Sequence, residues 1–209
     1  MSLREQLRSL QHRIMGTPFV YDYVRPLAVG GIDFSPLYDQ IVDPDAEILD
    51  VGCGTGAAHK YLRSFKRYVG MDTDPIAVAH AQKRYGSANV SFHAQICTPE
   101  DVKRIAPTDV VLAGILHHLT DDEAKGLLAS LRESPKLRQV LSVDIVFLPG
   151  RPVNNFLAGM DRGQYCRPEF EYHRLAEQSG LKLERSQVLR SHRYTGLAQY
   201  IYMTLRPQG

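Results

Sequence analysis

Cysteine, long apolar runs and an excess of one charge are all scarce in this chain. The three cysteines, Cys53, Cys97 and Cys166, lie far apart without a CxxC pair, which argues against a disulfide framework or a cysteine metal site. No apolar run approaches the roughly 20 residues that span a bilayer, and the first residues are charged rather than an apolar signal core. We therefore expect a cytoplasmic protein without membrane insertion, and we predict no metal site.

The charge balance and composition indicate which class of protein this is. A net charge of +2 is too small for the basic surface of a dedicated nucleic-acid binder. With 44% hydrophobic and 23% charged residues, the composition is that of a globular protein. The length of 209 residues suits one domain, with residues 1–45 as a helical cap region and 46–209 as the core.

From Glu47 onward, short apolar runs alternate with amphipathic stretches, a pattern typical of a parallel sheet covered by helices on both faces. The core therefore belongs to the α/β class. Strands are predicted over 47–51, 68–71, 90–93, 109–113 and 139–144. Several of these runs are apolar throughout, as strands buried on both faces should be.

Three predicted helix starts combine a capping side chain with a favourable first turn. They are Asp74 with Pro75, Thr98 with Pro99, and Thr120 with Glu123. A last helix over 169–179 is ended by Gly180 and followed by β segments around 181–189 and 197–204. The first residues depart from this alternation, and Tyr21, Tyr23 and Arg25 belong either to a cap over the active edge of the sheet or to simple packing.

The segment ILDVGCGTG, residues 48–56, is an apolar strand that ends in glycines just before a predicted helix. Gly52, Gly54 and Gly56 allow a tight turn and a close approach of the backbone to a ligand. The spacing is GxGxG rather than the GxGxxG of dinucleotide sites, and Asp50 lies just before it. A carboxylate would repel a pyrophosphate but favours the ammonium and sulfonium of S-adenosylmethionine.

A second strand ends in Asp72, about twenty residues after the first glycine, where a carboxylate can accept both ribose hydroxyls. Together, ILDVGCGTG, VGMDTDP and TDVVLAGILHHL resemble successive motifs of the class I S-adenosylmethionine-dependent methyltransferases, over roughly residues 41–131. This resemblance implies a Rossmann-like, doubly wound, seven-stranded sheet of order 3-2-1-4-5-7-6 with the last strand antiparallel. It also implies S-adenosylmethionine as the cofactor.

The resemblance assigns roles by position. Asp50 and the glycines hold the methionine end, Asp72 the ribose, and Ile96 or its neighbours the adenine. Gln95 stands where many members have an aspartate for the adenine amino group, and its side-chain oxygen can still accept that hydrogen bond. The predicted cofactor-binding residues are Asp50, Gly52, Cys53, Gly54, Gly56, Asp72, Thr73, Gln95, Ile96 and Ala113.

In the implied sheet order, the residues just after Ala113 face the reacting methyl group. His117 and His118 are the candidate catalytic residues, because histidine titrates near neutrality and can take a proton from a hydroxyl or amine. Alternatively, one imidazole packs against the cofactor and the other satisfies local backbone groups. His118 is favoured as the base, since the similar family segment most often retains its second histidine.

The sequence restricts the class of methyl acceptor but does not identify the compound. A polar cluster, Asp161, Arg162, Tyr165, Arg167 and Glu169, either contacts substrate or forms a solvated loop. The fourth strand is followed by no NPPY-like or Pro-Cys segment, which argues against methylation of an exocyclic base amine or of cytosine C5. We expect a small-molecule acceptor. The alternatives are methylation of RNA or protein, a non-catalytic regulatory protein that binds S-adenosylmethionine and, more remotely, a nicotinamide oxidoreductase.

Overall fold

The computed structural model describes residues 32–159, 161, 163–190 and 198–208. Its strands form one mixed sheet. They are β1 Glu47–Val51, β2 Arg67–Asp72, β3 Val90–Ala94, β4 Asp109–Ala113, β5 Gln139–Phe147, β6 Arg167–Pro168, β7 Leu181–Arg190 and β8 Gln199–Pro207. Tyr21, Tyr23, Arg25 and Arg162 lie outside the described residues, as does most of the predicted cap.

The strand order is β3-β2-β1-β4-β5-β8-β7, and the two-residue β6 pairs with the end of β5. Strands β1 to β5 are parallel, whereas β8 runs antiparallel to both β5 and β7. When β6 is set aside, this is the predicted order 3-2-1-4-5-7-6 with the last strand antiparallel. The predicted fold class is therefore confirmed.

Helices cover both faces of the sheet. They are α1 Ser35–Tyr38, α2 Pro75–Tyr85, α3 Pro99–Ile105, α4 Asp121–Leu131, α5 Pro152–Gly159 and α6 Glu169–Gln178, with 3-10 helices at Ala57–Tyr61 and Leu116–His118. The predicted starts are confirmed: the Asp74 side chain accepts two backbone N–H bonds, and Thr98 and Thr120 each form a capping box. These caps satisfy donors that a helix start leaves open.

The structure departs from the predicted elements in three places. After Gly56 the chain forms a five-residue 3-10 helix rather than an α-helix. Helix α5 was not predicted. Strand β5 continues to Phe147 instead of ending at Asp144, because that carboxylate is fully buried and hydrogen-bonded rather than exposed at a strand end.

Two apolar clusters fill the space above and below the sheet. Along β1, Leu49 and Val51 belong to one cluster while Ile48 belongs to the other, as the alternation of side chains in a strand requires. Within the described ranges, no helix has the length and apolar character needed to cross a bilayer.

Candidate active site

A cavity of about 790 Å³ opens at the carboxyl ends of β1, β2 and β4. This is the point where the strand order reverses, the usual ligand position in a doubly wound sheet. The cavity is lined by Val51, Gly52, Gly54, Thr55, Met71, Asp72, Thr73, Asp74, Ala77, Gln95, Ile96, Cys97, Pro99, Gly114, Ile115, His118, Leu119, Glu123, Gly126, Leu127 and Ser130. Six of the ten predicted cofactor-binding residues are among them.

The turn after β1 has three backbone positions that favour glycine. Gly52, Gly54 and Gly56 have φ angles of +78°, +52° and +71°, in the left-handed region. A Cβ on Gly52 would come within 2.9 Å of the Ile115 side chain. Gly52 and Gly54 line the cavity, whereas Gly56 packs against Phe92, so its role is in folding the turn.

Asp72 connects the turn to the end of β2. Its carboxylate accepts the Gly54 N–H at 2.8 Å and the Asp74 N–H at 2.9 Å, and it lines the cavity together with Thr73. Each carboxylate oxygen can accept more than one hydrogen bond. Asp72 can therefore hold the turn and still accept hydroxyl groups from a ligand.

Asp50 lies beneath the turn rather than in the cavity lining. One carboxylate oxygen accepts the hydroxyl of Tyr68 at 2.5 Å and that of Tyr38 at 3.3 Å, while the other is buried and has no hydrogen-bond partner among the described residues. Burial raises the pKa of Asp50 to about 6, and the nearby Asp72 charge adds to this, although the two tyrosine hydroxyls act in the opposite direction. A buried acceptor of this kind favours a cationic group.

Cys53 and Ala113 are the other two predicted cofactor residues outside the lining. The Cys53 side chain is buried against Gly70 behind the turn, and burial raises the pKa of its thiol. Ala113 ends β4, and it is the following residue, Gly114, that lines the cavity. Both therefore lie next to the cavity wall without contributing to it.

The Gln95 side chain is oriented by Asp101. Its amide nitrogen donates to the Asp101 carboxylate at 3.0 Å, and because a carboxylate only accepts, this fixes which end of the amide is the carbonyl. The Gln95 oxygen thus remains an acceptor at the cavity wall. Ile96 beside it is 71% exposed, an apolar surface of the type that a planar ring covers.

One wall of the cavity was not predicted from the sequence. It is the face of α4 made by Glu123, Gly126, Leu127 and Ser130. A Cβ on Gly126 would have no atom within 4 Å, and its backbone does not adopt the left-handed conformation. The missing side chain therefore leaves open space in the cavity. The position of Gly126 inside a helix, where glycine costs about 1 kcal/mol relative to alanine, was a signal in the sequence.

His117 is buried between two carboxylates. Its Nδ1 contacts Asp144, its Nε2 lies 3.1 Å from Asp161, and both carboxylate side chains are at most 3% exposed. Burial lowers the pKa of His117, but the two carboxylates outweigh this and raise the pKa to about 9. An imidazole with both nitrogens engaged does not suit a general base.

His118 faces the cavity from the same 3-10 turn. Its side chain is exposed and belongs to the lining, and its ring centroid lies 4.2 Å from that of His117. Of the two candidate histidines, it is therefore the one that a bound molecule can contact.

The loop that carries both histidines is fastened from two sides. The Asp144 carboxylate accepts the N–H groups of Leu116 and His117, each at 3.1 Å. From the outside, the guanidinium of Arg167 donates to the carbonyls of Leu116 and Leu119 at 2.8 and 2.7 Å. Arg167 is 3% exposed, so this member of the predicted polar cluster holds the loop instead of reaching substrate.

The other described residues of the predicted polar cluster also have separate roles. Asp161 reaches inward to His117, while Glu169 accepts a hydrogen bond from Ser186 at 3.2 Å at the start of α6. Tyr165 is exposed, and its N–H donates to the His117 carbonyl at 3.0 Å. The four described members of the cluster therefore form neither one substrate surface nor one solvated loop.

Comparisons with known proteins agree with this geometry. Residues 48–136 match a family model described as a methyltransferase domain, whereas no curated protein matches the sequence. Among solved structures, a Burkholderia thailandensis 1,6-didemethyltoxoflavin-N1-methyltransferase is 18% identical with a TM-score of 0.67, covering 100% of this chain and 92% of its own.

Two further structures share the fold. Magnesium protoporphyrin IX methyltransferase from Synechocystis is 16% identical with a TM-score of 0.61, covering 96% of this chain and 100% of its own. A S-adenosylmethionine-dependent methyltransferase from Methanosarcina mazei is 15% identical with a TM-score of 0.63, covering 85% and 100%. Residues 48–136, which contain the glycine turn and the acidic end of β2, thus match a methyltransferase domain, and the chain shares its fold with S-adenosylmethionine-dependent methyltransferases of solved structure.

Proposed function

We propose that this protein is an S-adenosylmethionine-dependent methyltransferase that modifies a small-molecule acceptor, which enters the cavity beside His118. The observation that carries the proposal is the charge of the wall. Among the described residues that line the cavity, Asp72, Asp74 and Glu123 are acidic and none is Lys or Arg. A nucleic acid is held mainly by Lys and Arg contacts to its phosphates, so this wall disfavours it. The volume of about 790 Å³ lies within the range of roughly 300–1,000 Å³ for small-molecule pockets.

We assign the cofactor-binding residues by matching the groups that line the cavity to the parts of S-adenosylmethionine. A Cβ on Gly52 would collide with the Ile115 side chain, so the turn presents bare backbone there. Beneath it, the Asp50 oxygen that has no partner among the described residues is an acceptor for an ammonium group. Asp72 would accept the ribose hydroxyls. The Gln95 carbonyl would accept the adenine amino group, with Ile96 against the ring.

When bound, S-adenosylmethionine supplies a methyl group that is already activated on a sulfonium. The protein then needs to position the acceptor and exclude water from it. His118 is the side chain we assign to the acceptor. Asp144 and Arg167 act on it indirectly, because they fix the loop in which it lies.

Two structural relatives act on small molecules by name, one on 1,6-didemethyltoxoflavin and one on magnesium protoporphyrin IX. Both are heteroaromatic compounds rather than polymers. This supports the same broad class of acceptor here.

The test is methyl transfer from radiolabelled S-adenosylmethionine to three separated cell fractions, namely small molecules, RNA and protein. We expect label in the small-molecule fraction only. The Asp72→Ala variant is the matched control, and it should lose this labelling because it binds cofactor poorly. Label that enters RNA or protein, and not small molecules, would contradict the proposal.

A further inference from the structure

The structure assigns a divalent-cation site to His117, His118 and Asp161 beside the cavity. Each side chain offers one ligand atom, and these atoms lie within 4.8 Å of one another. Atoms bound to one Zn²⁺ ion at bond lengths near 2.0–2.2 Å are about 3–4 Å apart. Small side-chain rotations therefore bring the three onto one ion.

The second observation is the carboxylate behind His117. A histidine that binds a metal through one nitrogen almost always donates the other N–H to a carboxylate or carbonyl. Here Nδ1 of His117 contacts Asp144, and Asp144 is itself fixed by two backbone N–H groups. Nε2 is thereby aimed at Asp161, 3.1 Å away, which is a spacing suited to two ligands of one ion.

The local charge also favours a cation. Asp144 and Asp161 are buried carboxylates on either side of the His117 imidazole, each with an oxygen against one of its nitrogens. In a buried site the attraction between opposite charges is stronger than in water. A dication at Nε2 of His117 would therefore be attracted by both carboxylates.

Gly163 explains how Asp161 reaches this position. A Cβ on Gly163 would lie 1.9 Å from the His117 ring, so only glycine lets the segment after α5 approach it. The Gly163 N–H in turn donates to Asp161 at 3.2 Å and orients its carboxylate. Spacing along the chain does not predict this contact, because Asp161 follows His117 by 44 residues.

Two imidazoles and one carboxylate suit a first-row transition-metal dication such as Zn²⁺ better than Mg²⁺ or Ca²⁺. Three protein ligands leave coordination positions open, and the exposed His118 places them toward the cavity. An open position could hold an oxygen of the acceptor, and only this last step rests on the proposed function. With the ion bound, His118 is a ligand and not a base.

The test is a Zn²⁺ titration of tag-free protein after treatment with EDTA, followed by calorimetry, without any cofactor. We expect one ion per chain. Because His118→Ala and Asp161→Asn each change a ligand, both should weaken binding at least tenfold. The variant Asp144→Asn should weaken it roughly 10–100-fold although it contacts no ion. His93→Ala, which changes an exposed histidine on β3, should bind Zn²⁺ as the unmodified protein does.

Circular dichroism of each variant verifies folding, and Co²⁺ absorption provides a second readout of the ligand set. Wild-type protein that binds no stoichiometric Zn²⁺, or binding that both His118→Ala and Asp161→Asn retain, would overturn the inference. A separate titration with S-adenosylhomocysteine reports on the cofactor cavity. Failure of the metal site is thus distinguished from failure of the proposed function.

Discussion

Asp72→Ala removes the side chain that connects the glycine turn to the end of β2. The carboxylate accepts two backbone N–H groups, from Gly54 and Asp74, and in our assignment also the ribose hydroxyls. Hydrogen bonds to a charged group contribute about 1.5–3 kcal/mol each when buried, and less where water can replace them. Asp72 is only partly buried, so we expect a loss of about 2 kcal/mol in the free energy of unfolding.

The same variant should bind S-adenosylhomocysteine more weakly by about 1–3 kcal/mol, which corresponds to about 5- to 150-fold in Kd. Calorimetry measures this loss directly. For a chain of this length, the stability loss should lower Tm by about 4–8 °C. The Asp72→Asn variant should have an affinity and a Tm between those of the unmodified protein and Asp72→Ala. Its amide keeps one acceptor oxygen but turns a donor toward the other backbone N–H.

Ser134→Ala is the matched control for stability. The buried Ser134 hydroxyl donates to the Pro107 carbonyl at 2.7 Å, and it is not part of the cavity lining. Its removal should cost about 1–3 kcal/mol of folding stability and leave cofactor affinity unchanged. Unaltered affinity in Asp72→Ala, or an equal loss of affinity in Ser134→Ala, would refute the assignment of Asp72 to the cofactor.

Three further outcomes follow from the structure. His118→Ala should lower methyl transfer about 10-fold or more while S-adenosylhomocysteine affinity stays the same, and full activity would remove His118 from the acceptor side. Gly126→Ala should raise the free energy of unfolding by about 0.5–1 kcal/mol in urea titrations, because its Cβ meets no atom within 4 Å; a lower stability would contradict this. In the presence of a chelator, the raised pKa of His117 should contribute about 3 kcal/mol of stability that is complete below about pH 6.5 and is lost as the pH rises through about 9. His117→Gln should abolish that pH dependence, and a wild-type stability that is flat over this range would count against the two ion pairs.

The fold was predictable because its signals are local. The capping boxes at Thr98 and Thr120 formed as their spacing indicated, and Gly180 ends α6 with a φ angle of +77°. Largely apolar runs of four to six residues marked the parallel strands. Each of these features depends on neighbouring residues, which a single sequence displays directly.

The surroundings of the two histidines were not predictable in the same way. Asp144 looked like the polar end of a strand, yet it is a buried partner of a residue 27 positions earlier. Arg167 was expected either to contact substrate or to lie in a solvated loop, and instead it holds the loop of the two histidines through backbone carbonyls. Such contacts depend on which strands become neighbours, and no spacing along the chain encodes that.

The most direct test of the account is a crystal structure with S-adenosylhomocysteine. We expect the ribose at Asp72, the adenine between Gln95 and Ile96, and the sulfur at the end of the cavity formed by Gly114 and His118. A ligand bound elsewhere on the protein, or one whose sulfur lies away from His118, would contradict the central claim.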